Sequence, residues 1–202
     1  MNGPRVGAMT ARTRDMAGAA LLTALLLAPW HGEAASTRFV VRPEQSKATY
    51  VTGTQLGEFS GETRSVEGEI LFDPQEPARL TLSVSVDLRT LKSDNAKRDQ
   101  HMYDQPLETE RFPVATLTAS QVSMKALAGG AGEGLLVGTF KLHGVERPVS
   151  VPIRFVLDRT TLRGDGAFII ALGDFGMTPP RLLGLKVRDQ VKVEVRLVAT
   201  SP

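Results

Sequence analysis

Arg98, Asp99 and His101 put a guanidinium, a carboxylate and an imidazole within four residues of one another. An imidazole beside a carboxylate can exchange protons near neutral pH, so Asp99 with His101 is a candidate acid/base pair. The competing reading is local: Arg98 and Asp99 form an ion pair, or a clamp that fastens their segment to the rest of the fold. That reading is preferred. The other histidine in the body of the chain, His143, precedes Gly144 in an expected tight turn and reads as a turn residue.

Other chemistries lack their residues. A metal site needs three or four converging donors, and beyond residue 34 the chain has two histidines in separate elements and no cysteine. No metal is expected. A serine nucleophile would require a base and an oxyanion hole, yet there is no Gly-x-Ser-x-Gly and no histidine in a triad setting. No thiol supports redox chemistry, and no glycine loop ahead of a helix would cradle phosphate. The chain is therefore expected to use no cofactor and not to be an enzyme.

The elements that would position these side chains are strands. Leu80, Leu82, Val84, Val86 and Leu88 alternate with Thr81, Ser83, Ser85 and Asp87, the period-two pattern of a strand with one dry face. Val149 to Leu157 and Val191 to Ala199 repeat it. Weaker segments are Thr37 to Val41, Ala48 to Thr52, Val66 to Phe72, Ala115 to Val122, Leu135 to Leu142 and Gly164 to Leu172. Asp73-Pro74, Glu76-Pro77, His143-Gly144 and Asp158 to Thr161 mark turns, and Ala126 to Gly134 reads as a flexible hairpin connection. One interruption differs: Ser93 can cap a short polar helix over 94–103. About eight strands joined by tight turns indicate an all-β antiparallel barrel or sandwich, with the helix across one end.

The first residues follow another rule. Arg5, Arg12 and Arg14 precede an apolar run from Ala17 to Pro29, with small residues at Gly32, Ala34 and Ala35, the order of a secretory signal. Residues 1–34 are read as a cleaved signal peptide and 35–202 as one domain. The alternative is a retained, membrane-anchoring N-terminus. Removing three arginines and two acids lowers the totals of 24 basic and 22 acidic side chains to 21 and 20. Such a balance argues against a nucleic-acid partner held by bulk charge. Trp30, the only tryptophan, falls in the leader. A periplasmic or secreted product is expected.

Several stretches resemble the YceI-like family, periplasmic polyisoprenoid-binding proteins with a lipocalin-like barrel. They are Val84 to Leu91, then Arg98-Asp99-Gln100-His101-Met102, then Phe112 to Leu117, followed by Gly138 to Val149 and by Asp174-Phe175-Gly176-Met177, in the family's order. Thr49 to Gly57 departs from the pattern of the family's opening strand, lacking its histidine, so the entrance is expected to differ. The resemblance implies an eight-stranded antiparallel lipocalin-like barrel with a long isoprenoid or acyl-chain lipid threaded down its axis. The inward faces would then line the lumen: Phe72, Leu82, Val84, Val86, Leu117, Phe140, Val151, Ile153, Phe155, Phe168, Ile170, Val193 and Val195. Arg98, His101 or Arg181 would meet a head group at the rim. The alternative is a filled barrel serving as a protein-interaction or stress-response scaffold, because a barrel of this size can be packed solid. Pairing of two copies into a homodimer is left open.

Overall fold

A computed structural model describes Gly3 and residues 36–182 and 184–202; the expected leader and Trp30 lie outside the described residues. Twelve strands are described: β1 Thr37–Val41, β2 Lys47–Thr54, β3 Gly57–Thr63, β4 Val66–Phe72, β5 Thr81–Asp87, β6 Val114–Ala128, β7 Ala131–Leu142, β8 Val145–Asp158, β9 Thr161–Ala171, β10 Arg181–Leu182, β11 Leu185–Lys186 and β12 Gln190–Thr200. One α-helix, α1, spans Ala96–Asp104.

Eight strands close into an antiparallel barrel in the order β1-β4-β5-β6-β7-β8-β9-β12, with β12 returning to β1. Closure removes the exposed edges that an open sheet would present. The last seam is short, since only Val40 and Val41 pair with Thr200 and Ala199. Ser46 strengthens it from the side: its fully buried hydroxyl accepts from the Val198 amide at 3.0 Å and donates to the Val198 carbonyl at 3.3 Å.

The β2–β3 hairpin continues the sheet from β12 through Lys192 to Arg196 and raises the wall on one side. A single bridge, Glu62 with Lys92, joins it to the segment after β5. This segment, α1 and residues 172–189 stand at the same end of the barrel as the hairpin tip and form an upper storey. At the opposite end Phe39 and Phe72, each almost wholly buried, make a floor, with the Phe72 ring edge-on to Phe155 at 5.3 Å.

All nine strand segments read from alternation are strands. Three were not read. β3 carries Gly57, Glu58, Gly61 and Glu62, too polar to show a dry face, and β10 and β11 are two residues each. The glycine-rich stretch expected to be a loose connection is mostly strand: the chain turns at Gly129-Gly130, both at positive φ, and β7 starts at Ala131. His143-Gly144 does turn β7 into β8, with φ of 51° and 75°, matching the twist of the flanking strands. The helix starts two residues later than read, because Asn95 and not Ser93 caps it, its side-chain oxygen accepting from the Arg98 amide at 3.1 Å.

Candidate ligand-binding site

Above the Phe72–Phe155 contact of the floor, inward side chains leave the axis open. A cavity of about 230 Å³ runs inside the barrel, bordered by Phe155 and Leu162 toward the floor and by Tyr50, Phe59, Arg98 and His101 in the upper storey. Twelve of the thirteen residues named for the lumen border it. The exception is Phe72, which is buried in the floor and does not line the cavity. The interior is therefore not packed solid along its whole length, as a filled barrel would be.

Glycines explain the hollow. On β8, Ile153 lies between Gly134 of β7 and Gly166 of β9, and Phe155 lies between Gly132 and Gly164. Cross-strand partners share a face, so all four glycines sit on the inner wall. A Cβ at Gly132 would come within 2.5 Å of the Phe155 ring, and one at Gly166 within 3.0 Å of Val151. Each large side chain thus leans over its neighbours' bare backbone and leaves the axis open.

The lining is apolar over most of its length, and five ionisable side chains border it: Tyr50, Arg98, His101, Arg154 and Asp165. Arg154 is 79 % exposed and holds its charge in water. Arg98 is the more enclosed, at 15 %. Its guanidinium pairs with Asp94, donates to the Ser93 hydroxyl at 3.1 Å and lies 4.6 Å from the centre of the Phe59 ring. It ties α1 to β3 by the cation–π contact and to the segment before the helix by hydrogen bonding. Asp99 is buried and accepts from the amide and the hydroxyl of Ser93.

The expected Arg98–Asp99 ion pair is therefore replaced by two separate clasps, Arg98 to Asp94 and Asp99 to Ser93. Asp99 with His101 does not assemble as an acid/base pair either. Two positions apart on a helix they project from different faces, and the Asp99 carboxylate is already engaged. Arg181, expected at the rim, does not border the cavity: it is exposed on β10 and donates to the Gly184 carbonyl at 3.1 Å. His143 is held beneath the upper storey, its ring 4.3 Å from that of Phe112, its Nδ1 3.3 Å from the Phe175 carbonyl and its Nε2 3.5 Å from Glu108.

The profile of the YceI-like domain matches residues 39–199, nearly the whole described barrel. The chain belongs to the YceI-like family. A UPF0312 protein of Shewanella sp. strain MR-7 is 28 % identical over 137 residues, 66 % of this chain and 69 % of the relative. Among solved structures, BcnA of Burkholderia cenocepacia superposes with a TM-score of 0.69 at 20 % identity, over 79 % of this chain and 99 % of BcnA. A polyisoprenoid-binding domain from Saccharophagus degradans, implicated in plant cell wall breakdown, gives 0.68 at 18 %, over 83 % and 99 %. These two likenesses establish the fold.

Within this YceI-like barrel the most informative residue was not singled out from sequence. Tyr50 borders the cavity from β2, opposite Gly61 of β3 and Val193 of β12. A Cβ at Gly61 would stand 2.4 Å from the Tyr50 ring, so the missing side chain gives the ring its place. The Tyr50 hydroxyl is buried and has no hydrogen-bond partner among the described residues. Burial pushes its pKa up to about 12, with Asp99, Tyr103 and Asp94 adding to the effect and Arg98 opposing it. The other phenol, Tyr103, donates to the Leu91 carbonyl; burial raises its pKa too, and the Asp99 charge adds to the rise. The signal for Tyr50 was its parity with Ala48 in a segment already read as a strand. Met102, Leu107, Leu182 and Val187 also border the cavity. They lie in α1, in the two-residue strand β10 or in irregular chain, where alternation carries no information.

Proposed function

We propose that this protein holds one long isoprenoid or acyl-chain lipid in the barrel lumen, as a carrier or sequestering module, after export to the periplasm. The observation that carries the reading is a hollow apolar cavity flanked by inward glycines, where packing alone would favour larger side chains. Each CH₂ moved from water into such a lining contributes on the order of 0.8 kcal/mol, so a long chain binds tightly without polar contacts along its length. The Saccharophagus domain named for binding polyisoprenoids has the same fold. The order of basic, apolar and small residues at the N-terminus supports export.

The test is to purify the protein from its own host, denature it gently and seek a hydrophobic molecule by mass spectrometry. A bound lipid at substantial occupancy, or uptake of an added isoprenoid, is expected. Finding neither would remove the assignment. Sequencing the N-terminus of protein from the periplasmic fraction, with a start near residue 35 expected, tests export separately.

A further inference from the structure

We infer that the upper end of the barrel docks on an anionic lipid bilayer, dipping Leu56 at the tip of the β2–β3 hairpin into it and meeting lipid phosphates with Arg181 and Lys186 of the β10–β11 hairpin. This goes beyond the lipid-binding reading above, to the surface from which a lipid would be drawn.

The argument begins at Leu56, the most exposed large apolar side chain among the described residues, at 83 %. Its turn does not require it. The backbone is not at positive φ, the Leu56 amide donates to the Thr54 hydroxyl at 3.2 Å, and a polar residue would serve a turn in water better. The β10–β11 hairpin carries charge without a counterpart. Arg181 and Lys186 stand opposite each other in its register, both exposed, and neither forms an ion pair among the described residues. Like charges facing across a ribbon repel, so this pair gains from an anion supplied from outside. The Arg181 guanidinium donates to the Gly184 carbonyl, which holds its charge over the turn.

Both hairpins belong to the mouth of the cavity. The Arg188 amide donates to the Gly53 carbonyl at 2.7 Å, fastening the chain after β11 close to the tip of the β2–β3 hairpin. Leu182 borders the cavity and pairs with Leu185, so one face of the ribbon is apolar and turned to the mouth while the basic pair lies on the other. A bilayer fits this end better than a protein does. A stable protein interface needs a continuous patch of roughly 800 Å² on each partner, whereas a lone protruding leucine and two cations suit a fluid surface that closes around them.

The chain has no cysteine, so Leu56→Cys and, beyond Phe72 of the floor, Gln75→Cys each accept a single nitrobenzoxadiazole dye. The labelled proteins are mixed with vesicles of phosphatidylcholine alone or of equal parts phosphatidylcholine and phosphatidylglycerol. With the anionic vesicles the dye at position 56 is expected to brighten and shift to the blue, while the dye at position 75 stays unchanged. Phosphatidylcholine alone should give a much weaker response. Adding Arg181→Gln and Lys186→Gln to the Leu56→Cys protein should weaken its vesicle affinity about twenty- to thirtyfold, at about fivefold for each cation near an anionic surface. Raising the salt should weaken the affinity of the unneutralised protein in the same direction. None of these side chains borders the cavity, so every variant should take up a detergent-dispersed isoprenoid as wild type does, which shows that it is folded. Equal responses at both positions, no response at position 56, or full affinity without the two cations would overturn the inference. Uptake without docking would leave the lipid-binding reading standing, and docking without uptake in wild type would remove that reading and keep this one.

Discussion

At the scale of single residues, the cavity depends on what is missing beside Ile153 and Phe155. Ile153→Trp should fill the space over Gly134 and Gly166, reducing isoprenoid uptake at least about tenfold, at an overpacking cost of about 1–3 kcal/mol. Tail-ligand titration and chemical unfolding of the variant check both figures. The sequence contains two tyrosines, and burial raises the pKa of each. Tyrosinate absorbance at pH 10 should therefore be less than that of two exposed tyrosines, each of which is half ionised there. For Tyr50 the folded pKa of about 12 lies above the ordinary 10.0. Its contribution to stability is thus fully present below pH 10 and fades as the pH rises from 10 toward 12. Tyr50→Phe should flatten that part of an alkaline unfolding curve. Twelve lumen residues were legible because period two is a local property of each strand. The glycines were not, because a glycine hollows the barrel only through the register that sets it beside a large side chain on the neighbouring strand.

At the scale of elements, α1 shows what local pattern can and cannot place. Its existence followed from a polar run with an acid near the start, but three consecutive residues, Ser93, Asp94 and Asn95, could each have capped it, and tertiary contacts chose among them. Ser93 is occupied with Asp99 and Arg98, which leaves the cap to Asn95. Asn95→Ala should destabilise the helix by about 1 kcal/mol. Because α1 supplies Arg98, His101 and Met102 to the cavity wall, the same change should speed ligand release without altering the floor. Faster amide exchange confined to residues 96–104 and a faster off-rate for a tail probe are the expected readings. β3 escaped notice for the opposite reason. It pairs along its length with β2 alone and has one further backbone bridge, Glu62 with Lys92. Its charges suit a strand near water, where alternation is weak and edge pairing must be discouraged.

At the scale of the whole molecule, closure was legible as a class and not as a topology. Alternating segments and turn residues called for a barrel or a sandwich; the pairing of β12 with β1 and β2 depends on contacts more than 100 residues apart in the chain. The hollow interior has a thermodynamic consequence. A ligand that binds only the closed barrel adds about 2.7 kcal/mol of stability at a free concentration one hundred times its Kd. Stripping the lipid by organic extraction and refolding should lower the melting temperature by roughly 5–10 °C for a domain of this size. Adding back a tail ligand should restore it, as calorimetry would show.

The placement of β12 also governs when an enclosed space can exist at all. Until residues 190–200 are in place, β9, β2 and β1 each present an unmatched border, and the would-be vessel is an open trough. Sealing therefore requires the C-terminal strand. A newly made chain meeting its cargo before that moment would wrap around it sideways, whereas a finished one must admit it end-on past α1.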